Sequence, residues 1–289
     1  MMKKTLFAAI LPAVVLFLGC GNKSATAETE GDTLATAENT ETEAVATESQ
    51  YIETQFYSNS MKQNRTIAVY LPANYSKSKT YPVIYGEDGL VIQSGRYKEL
   101  LDSLIGSGEI EPVVVAVSYE NKNPIPGFRM AYRNAEYVEA IAGQDPQLTQ
   151  IYNDHLNYFV QEFIPYIESN YSVANTREGR IYYGTSNSAD FGLTLSFRMP
   201  NLFAEYWCFS PVYSQLWDYK PLAVPTKYYI DRGSKEEEGD MMIYFSNLID
   251  FLRRSGGDVT EWTFNGGHDR AKWREDFIKM LVTRFGVEK

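Results

Sequence analysis

Two histidines in 289 residues make the search for a proton-transfer site short. His155 stands in YNDHLNYF, inside a long amphipathic stretch, and reads as a surface or helix-face residue. His268 stands in FNGGHDRAKW, a glycine-bearing loop ahead of the last helical pattern. Upstream of it lies YYGTSNSADFG, residues 182–192, with Ser186 in the pattern G-x-S-x-S. A serine hydroxyl is a poor nucleophile unless a base sits beside it, so Ser186 with His268 is the pairing to test. Ser186 follows an apolar strand pattern and precedes a helix beginning near Ser188 or Ala189. That placement exposes a side chain at a sheet's carboxyl edge, next to the free N–H groups of a helix N-terminus. The same residues could instead form an ordinary helix cap. A carboxylate to orient the imidazole must come from Asp231, Glu236, Glu237 or Glu238 in YYIDRGSKEEEGD, and spacing does not choose among them.

The elements that would position these residues alternate. Tyr51–Tyr57 and Thr66–Leu71 read as strands, followed by a short buried strand at Tyr81–Gly86. A helix at Tyr97–Ile105, with Leu100, Leu101 and Leu104 on one side, leads to the apolar strand Val113–Val117. Residues 119–147 show no clear period and read as a long loop. Ile151–Tyr171 predicts a helix kinked at Pro165. Beyond it come strand Arg180–Tyr183, helix Ala189–Phe197, strands Phe203–Trp207 and Lys227–Ile230, and helix Asp240–Arg253. Strand Asp258–Phe264 and helix Arg270–Phe285 close the pattern. The order predicts an α/β fold: a doubly wound, mostly parallel sheet with helices on both faces.

The first fifty residues have a different composition. Lys3 and Lys4 precede an almost wholly apolar Thr5–Leu18, and Gly19-Cys20 follows. This reads as a signal peptide over residues 1–19 ending at a lipobox, with Cys20 as the lipidation site. Acyl chains there would anchor the chain to a membrane. Residues 20–50 are mostly Ala, Thr and Glu, with no large apolar set to bury, and read as a disordered tether. Residues 51–289 form the folded domain. Net charge is −10, and no Lys/Arg cluster supports nucleic-acid binding. Cys208, in the apolar run AEYWCFSP, reads as a buried small residue.

Several segments together resemble the enterochelin (ferric siderophore) esterase-like branch of the α/β-hydrolase superfamily, related to feruloyl and acetyl-xylan carbohydrate esterases. RTIAVYLPANY with YPVIYGEDGL resembles its opening strands and Asp-Gly loop. YRNAEY resembles a motif of the loop that follows, and FIPYIESNYSV the end of the helix before the nucleophile strand. GTSNSADFGLTLSFRMPNLFAEYWCFSP resembles the elbow, its helix and the next strand. GSKE resembles the acid loop, and GGHDRAKWREDF the histidine loop.

The resemblance implies ester hydrolysis through an acyl-enzyme, with Ser186 as nucleophile, His268 as base and Glu236 as acid. Asn187 and either Gly89 or Leu90 would donate to the oxyanion. Arg133, Tyr137 and Trp207 are candidate substrate contacts. Arg129 and Arg270 would join Arg133 if the substrate were an anionic siderophore; a feruloyl or acetyl ester on a glycan needs no such cluster. The aromatic residues Tyr206, Trp207 and Phe209 fit stacking on a ligand or plain core packing. No metal or cofactor is implied. The expected setting is the cell envelope, lipid-anchored to the outer membrane. The chain departs from the family's G-x-S-x-G-G at Ser188 and Ala189, which opens the alternative of a ligand-binding lipoprotein of the same fold. An acyltransferase would share the same residues.

Overall fold

Alternation within the strands decides the architecture. In β3 (Val83–Gly86), Val83 and Tyr85 pack into one apolar cluster while Ile84 packs into the other. In β5 (Arg180–Thr185) and β6 (Glu205–Phe209), Tyr182, Tyr206 and Cys208 face the first cluster. Ile181, Tyr183, Trp207 and Phe209 face the second. A sheet whose two faces are both apolar must be covered on both sides. The computed structural model, which describes residues 47–236 and 240–288, shows that arrangement.

The remaining strands are β1 (Gln50–Ser58), β2 (Gln63–Leu71), β4 (Val114–Ser118), β7 (Thr226–Gly233) and β8 (Gly257–Phe264). All eight form a single sheet in the order β1-β2-β4-β3-β5-β6-β7-β8. β1 with β2 and β2 with β4 pair antiparallel; the other pairs are parallel. One face is covered by α1 (Gly89–Ser94), α2 (Tyr97–Gly106) and α9 (Arg270–Phe285). The other carries α3 (Tyr132–Tyr137), α4 (Glu139–Ala142), α5 (Pro146–Asn157) and α6 (Ile164–Asn170). It also carries α7 (Asn187–Arg198) and α8 (Asp240–Arg254). This mostly parallel sheet, flanked by helices on both faces, is the α/β-hydrolase fold.

Three expectations change. The expected loop at 119–147 contains α3 and α4, held by buried Ala135, Tyr137, Val138 and Ala142. The expected long helix begins earlier, at Pro146, where Asp145 caps it by accepting from Gln147 N–H. The break before Pro165 is a π-turn, Tyr158–Phe163. A proline removes one helical N–H, so the regular ladder cannot run unbroken through this point. Finally, the strand expected at Phe203–Trp207 lies two residues later, at Glu205–Phe209. The expectations for the signal peptide, Cys20, most of the tether, Glu237 and Glu238 lie outside the described residues.

Candidate active site

Parallel pairing brings the carboxyl ends of β3, β5, β6, β7 and β8 to one edge of the sheet. Gly86 pairs with Tyr183, Thr185 with Phe209, Phe209 with Asp231, and Gly233 with Phe264. The loops leaving those ends carry the candidate residues.

Ser186 is the residue between β5 and α7. Its backbone stands at φ 56°, ψ −128°, where a non-glycine residue is strained. Three bonds hold it there: Ser186 N–H donates to Phe209 O (2.8 Å), and Ser186 O accepts from Ala189 N–H (2.8 Å) and Asp190 N–H (3.2 Å). The turn folds back so tightly that a Cβ on Gly184 would lie 2.5 Å from the Ser188 carbonyl oxygen. Only glycine fits at that point. Ser186 is half-buried, and the next residue, Asn187, opens α7 with its N–H groups directed out of the helix. This is a strained strand-to-helix elbow, and Ser188 and Ala189 occupy its first helical turn without breaking it.

His268 and Glu236 meet across two loops. His268 Nδ1 lies 2.9 Å from Glu236 Oε2. Glu236 Oε1 accepts from Ser210 Oγ (2.7 Å) and from Gly233 N–H (2.8 Å). Burial alone would push the Glu236 carboxyl up. The bonds from His268, Ser210 and the Gly233 backbone outweigh it and hold the carboxyl below its ordinary range. Trp273 stands edge-on to the imidazole, ring centres 4.5 Å apart, and its Nε1–H donates to Ser210 Oγ (2.8 Å). The loops approach so closely at Gly233 that a side chain there would collide with the carbonyls of Gly266 and Gly267. Asp231 is fully buried and accepts from Ser210 N–H (2.9 Å), not from the imidazole. Of the two candidate acids among the described residues, Glu236 lies against the imidazole and Asp231 does not.

On the β3 side, Asp88 sits in the left-handed region at φ 60° and caps α1. Arg133 grips its carboxylate in a bidentate pair, Nε to Oδ1 and Nη2 to Oδ2, both 2.6 Å. Of the two candidate oxyanion donors in this loop, Leu90 N–H donates to Glu120 Oε2 at 3.3 Å and is occupied. That bond leaves Gly89 as the remaining candidate of the two.

Three side chains take other roles than expected. Trp207, on β6, is fully buried against Phe277 and Phe285 of α9, with its Nε1–H on Glu205; it offers no surface to a ligand. Tyr137 is also sealed, its hydroxyl donating to Glu87 Oε2 (3.1 Å). His155 is not a surface residue: it is fully buried with Nε2 2.9 Å from Glu87 Oε1. Burial pushes its imidazole down to about 3, and it stays neutral. Glu87 is driven well above the carboxylate range, also by burial. Sequence reasoning gave no role to Glu120, Ser210 or Trp273, and reached Asp88 only as part of the Asp-Gly loop. Of these, only Asp88, two residues past the end of β3, carried a local signal.

Comparison with known proteins follows the same lines. The "Uncharacterized protein YjcH" of Bacillus subtilis (strain 168) is 24% identical over 242 residues, spanning 77% of this chain and 92% of that protein. The structure of the ferulic acid esterase AmCE1/Fae1A from Anaeromyces mucronatus, solved with ferulic acid, superposes with a TM-score of 0.60 at 17% identity. The match covers 82% of this chain and 91% of that one. An S-formylglutathione hydrolase from Agrobacterium tumefaciens gives a TM-score of 0.64 at 15% identity, covering 84% and 98%. These two likenesses concern the fold. The family described as "Putative esterase" matches residues 58–283, nearly the whole span of the sheet and its helices, and the chain belongs to that family.

Proposed function

We propose that this chain is a serine carboxylic-ester hydrolase acting through Ser186, His268 and Glu236. The observation that carries the reading is the strained Ser186 elbow at the sheet edge where the Glu236–His268 pair also lies. In this reading Glu236 accepts from His268 Nδ1–H, which fixes the tautomer and leaves Nε2 as the base. Ser186 Oγ attacks the ester carbonyl carbon while His268 takes its proton. The tetrahedral oxyanion is held by the N–H groups of Asn187 and Gly89. Collapse expels the alcohol, which receives the proton from His268, and leaves an acyl-Ser186. Water, deprotonated by His268, attacks the acyl-enzyme and releases the acid.

The charge around the site favours a neutral acyl or feruloyl ester, such as one on a carbohydrate, over a ferric siderophore. Arg133 is committed to Asp88, and Arg129 and Arg270 are exposed rather than gathered into a basic pocket. The ferulic acid esterase likeness is compatible with this choice. The reading also places the domain at the cell envelope, tethered through Cys20.

Fluorophosphonate labelling of the parent and of Ser186→Ala tests the chemistry. The expected result is stoichiometric labelling at Ser186, lost in the variant with its melting temperature preserved. A folded parent that takes no label would point instead to a ligand-binding protein on the same fold.

A further inference from the structure

Ser188 stands where the family pattern has glycine, and its side chain is almost fully buried. Its hydroxyl is not idle. Oγ accepts from Thr185 N–H (2.8 Å), and its single proton is shared between Thr185 O (2.8 Å) and Asp88 Oδ2 (3.1 Å). Thr185 and Ser188 bracket Ser186 on the elbow. Asp88 directly precedes Gly89 on the loop after β3. β3 and β5 are adjacent parallel strands, so the two loops leave the sheet side by side. Nothing local in the sequence joins them; one hundred positions separate Ser188 from Asp88.

We propose that Ser188 is a positioning residue that ties the nucleophile elbow to the loop opposite, fixing the separation of the two oxyanion donors. This deepens the esterase reading and rests on it. The Asn187 N–H rides on the elbow side of the tie, and the Gly89 N–H on the Asp88 side. A hydrogen bond to a carboxylate is stronger than a neutral one. Arg133 holds both oxygens of the same carboxylate, sharing Oδ2 with Ser188, so the tie pulls on a fixed point. A glycine at 188 would leave the Asp88 carboxylate its bonds to Arg133 but none to the elbow. The hydroxyl thus replaces the conformational ease of the missing glycine with a cross-loop contact.

The test compares the parent with Ser188→Ala, Ser188→Gly, Asp88→Asn and the Ser188→Ala/Asp88→Asn double variant. Ser186 phosphonylation rate, kcat and KM on an aryl acetate, and amide hydrogen exchange over residues 86–92 are read for each. Melting temperatures establish folding, and Ser188→Gly supplies the family's own residue should alanine fold poorly. The expected result is a kcat loss of about tenfold in Ser188→Ala and Ser188→Gly, with KM within about twofold, since displaced donors cost transition-state binding. Exchange over 86–92 should quicken, and the double variant should lose less than the two single losses multiplied. Parent-like kcat in both Ser188 variants, parent-like exchange, or a strictly multiplicative cycle would overturn the tie while leaving the esterase reading intact. A parent that never takes the label would overturn the esterase reading, and the catalytic role of Ser188 with it.

Discussion

Glu236 shows how one carboxylate is fixed in place. Both oxygens are engaged, one by Ser210 and the Gly233 backbone, the other by His268. Its folded value lies below its unfolded one. These bonds therefore add stability above the ordinary carboxylate range and lose it as pH falls through the folded value. Glu236→Gln keeps the shape but sets an amide against Nδ1, which favours the wrong tautomer. We expect kcat for aryl acetate hydrolysis to fall by about 10³–10⁴-fold with little change in melting temperature. Asp231→Asn, whose side chain bonds Ser210 and not the imidazole, should lose far less. At this scale the sequence was partly legible. Ser186 and His268 stood out through scarcity and context, and the acid was found through resemblance. Ser210 and Trp273 were invisible because their roles depend on loops that meet only in three dimensions.

Among the elements, α7 has the most demanding position, with every residue from Asn187 to Ser196 buried. Its Asp190 pins the loop after β6, accepting from Val212 N–H (3.1 Å), Tyr213 N–H (3.0 Å) and Ser214 Oγ (2.5 Å). Burial nonetheless pushes this carboxyl up to about 6, against the downward pull of those bonds. The folded protein thus keeps a proton that the unfolded chain releases near pH 4. Between those values the folded state binds more protons, so stability from this group falls as pH rises. Asp190→Asn cannot titrate. From pH 4 to pH 7 the parent should lose on the order of 2 kcal/mol relative to the variant, measured by thermal unfolding at both pH values. Periodicity exposed most elements. It missed α1, α3 and α4, which are too short to show a period. It could not separate ligand contact from core packing at Trp207: an aromatic run on a strand reads alike whether its alternate side meets a helix or a substrate.

For the whole molecule, the two-faced sheet was legible because the apolar runs at β3, β4 and β5 admit no solvent face. The polar layer beneath α3 and α5 was not. Arg65 is buried with Glu136 (3.1 Å), and the neutral His155 lies against Glu87, four groups from four separate elements or loops. Each is tolerable inside only because the others are there, and no local pattern announces such mutual dependence. Attachment is the molecule-scale question on the N-terminal side. Among the described residues no helix is long and apolar enough to cross a membrane, and the tether proposal rests on residues 1–50. Cys20→Ser should move the protein from the membrane fraction to the soluble fraction, scored by immunoblot with esterase turnover on aryl acetate unchanged. A parent already soluble would remove the anchor from the proposal.

The strand order also sets a sequence of events in time. β5 and its serine emerge from the ribosome before β7 and β8, so the attacking group is made ahead of the pair that would activate it. His155, synthesised earlier, is no substitute, being enclosed in the opposite layer. Trp273, which braces His268, belongs to α9, the element whose Phe277, Met280 and Leu281 complete one apolar face. Under the esterase reading, hydrolytic competence and closure of that face arrive together. A nascent or prematurely ended chain would carry the serine with no base, harmless to any ester it met.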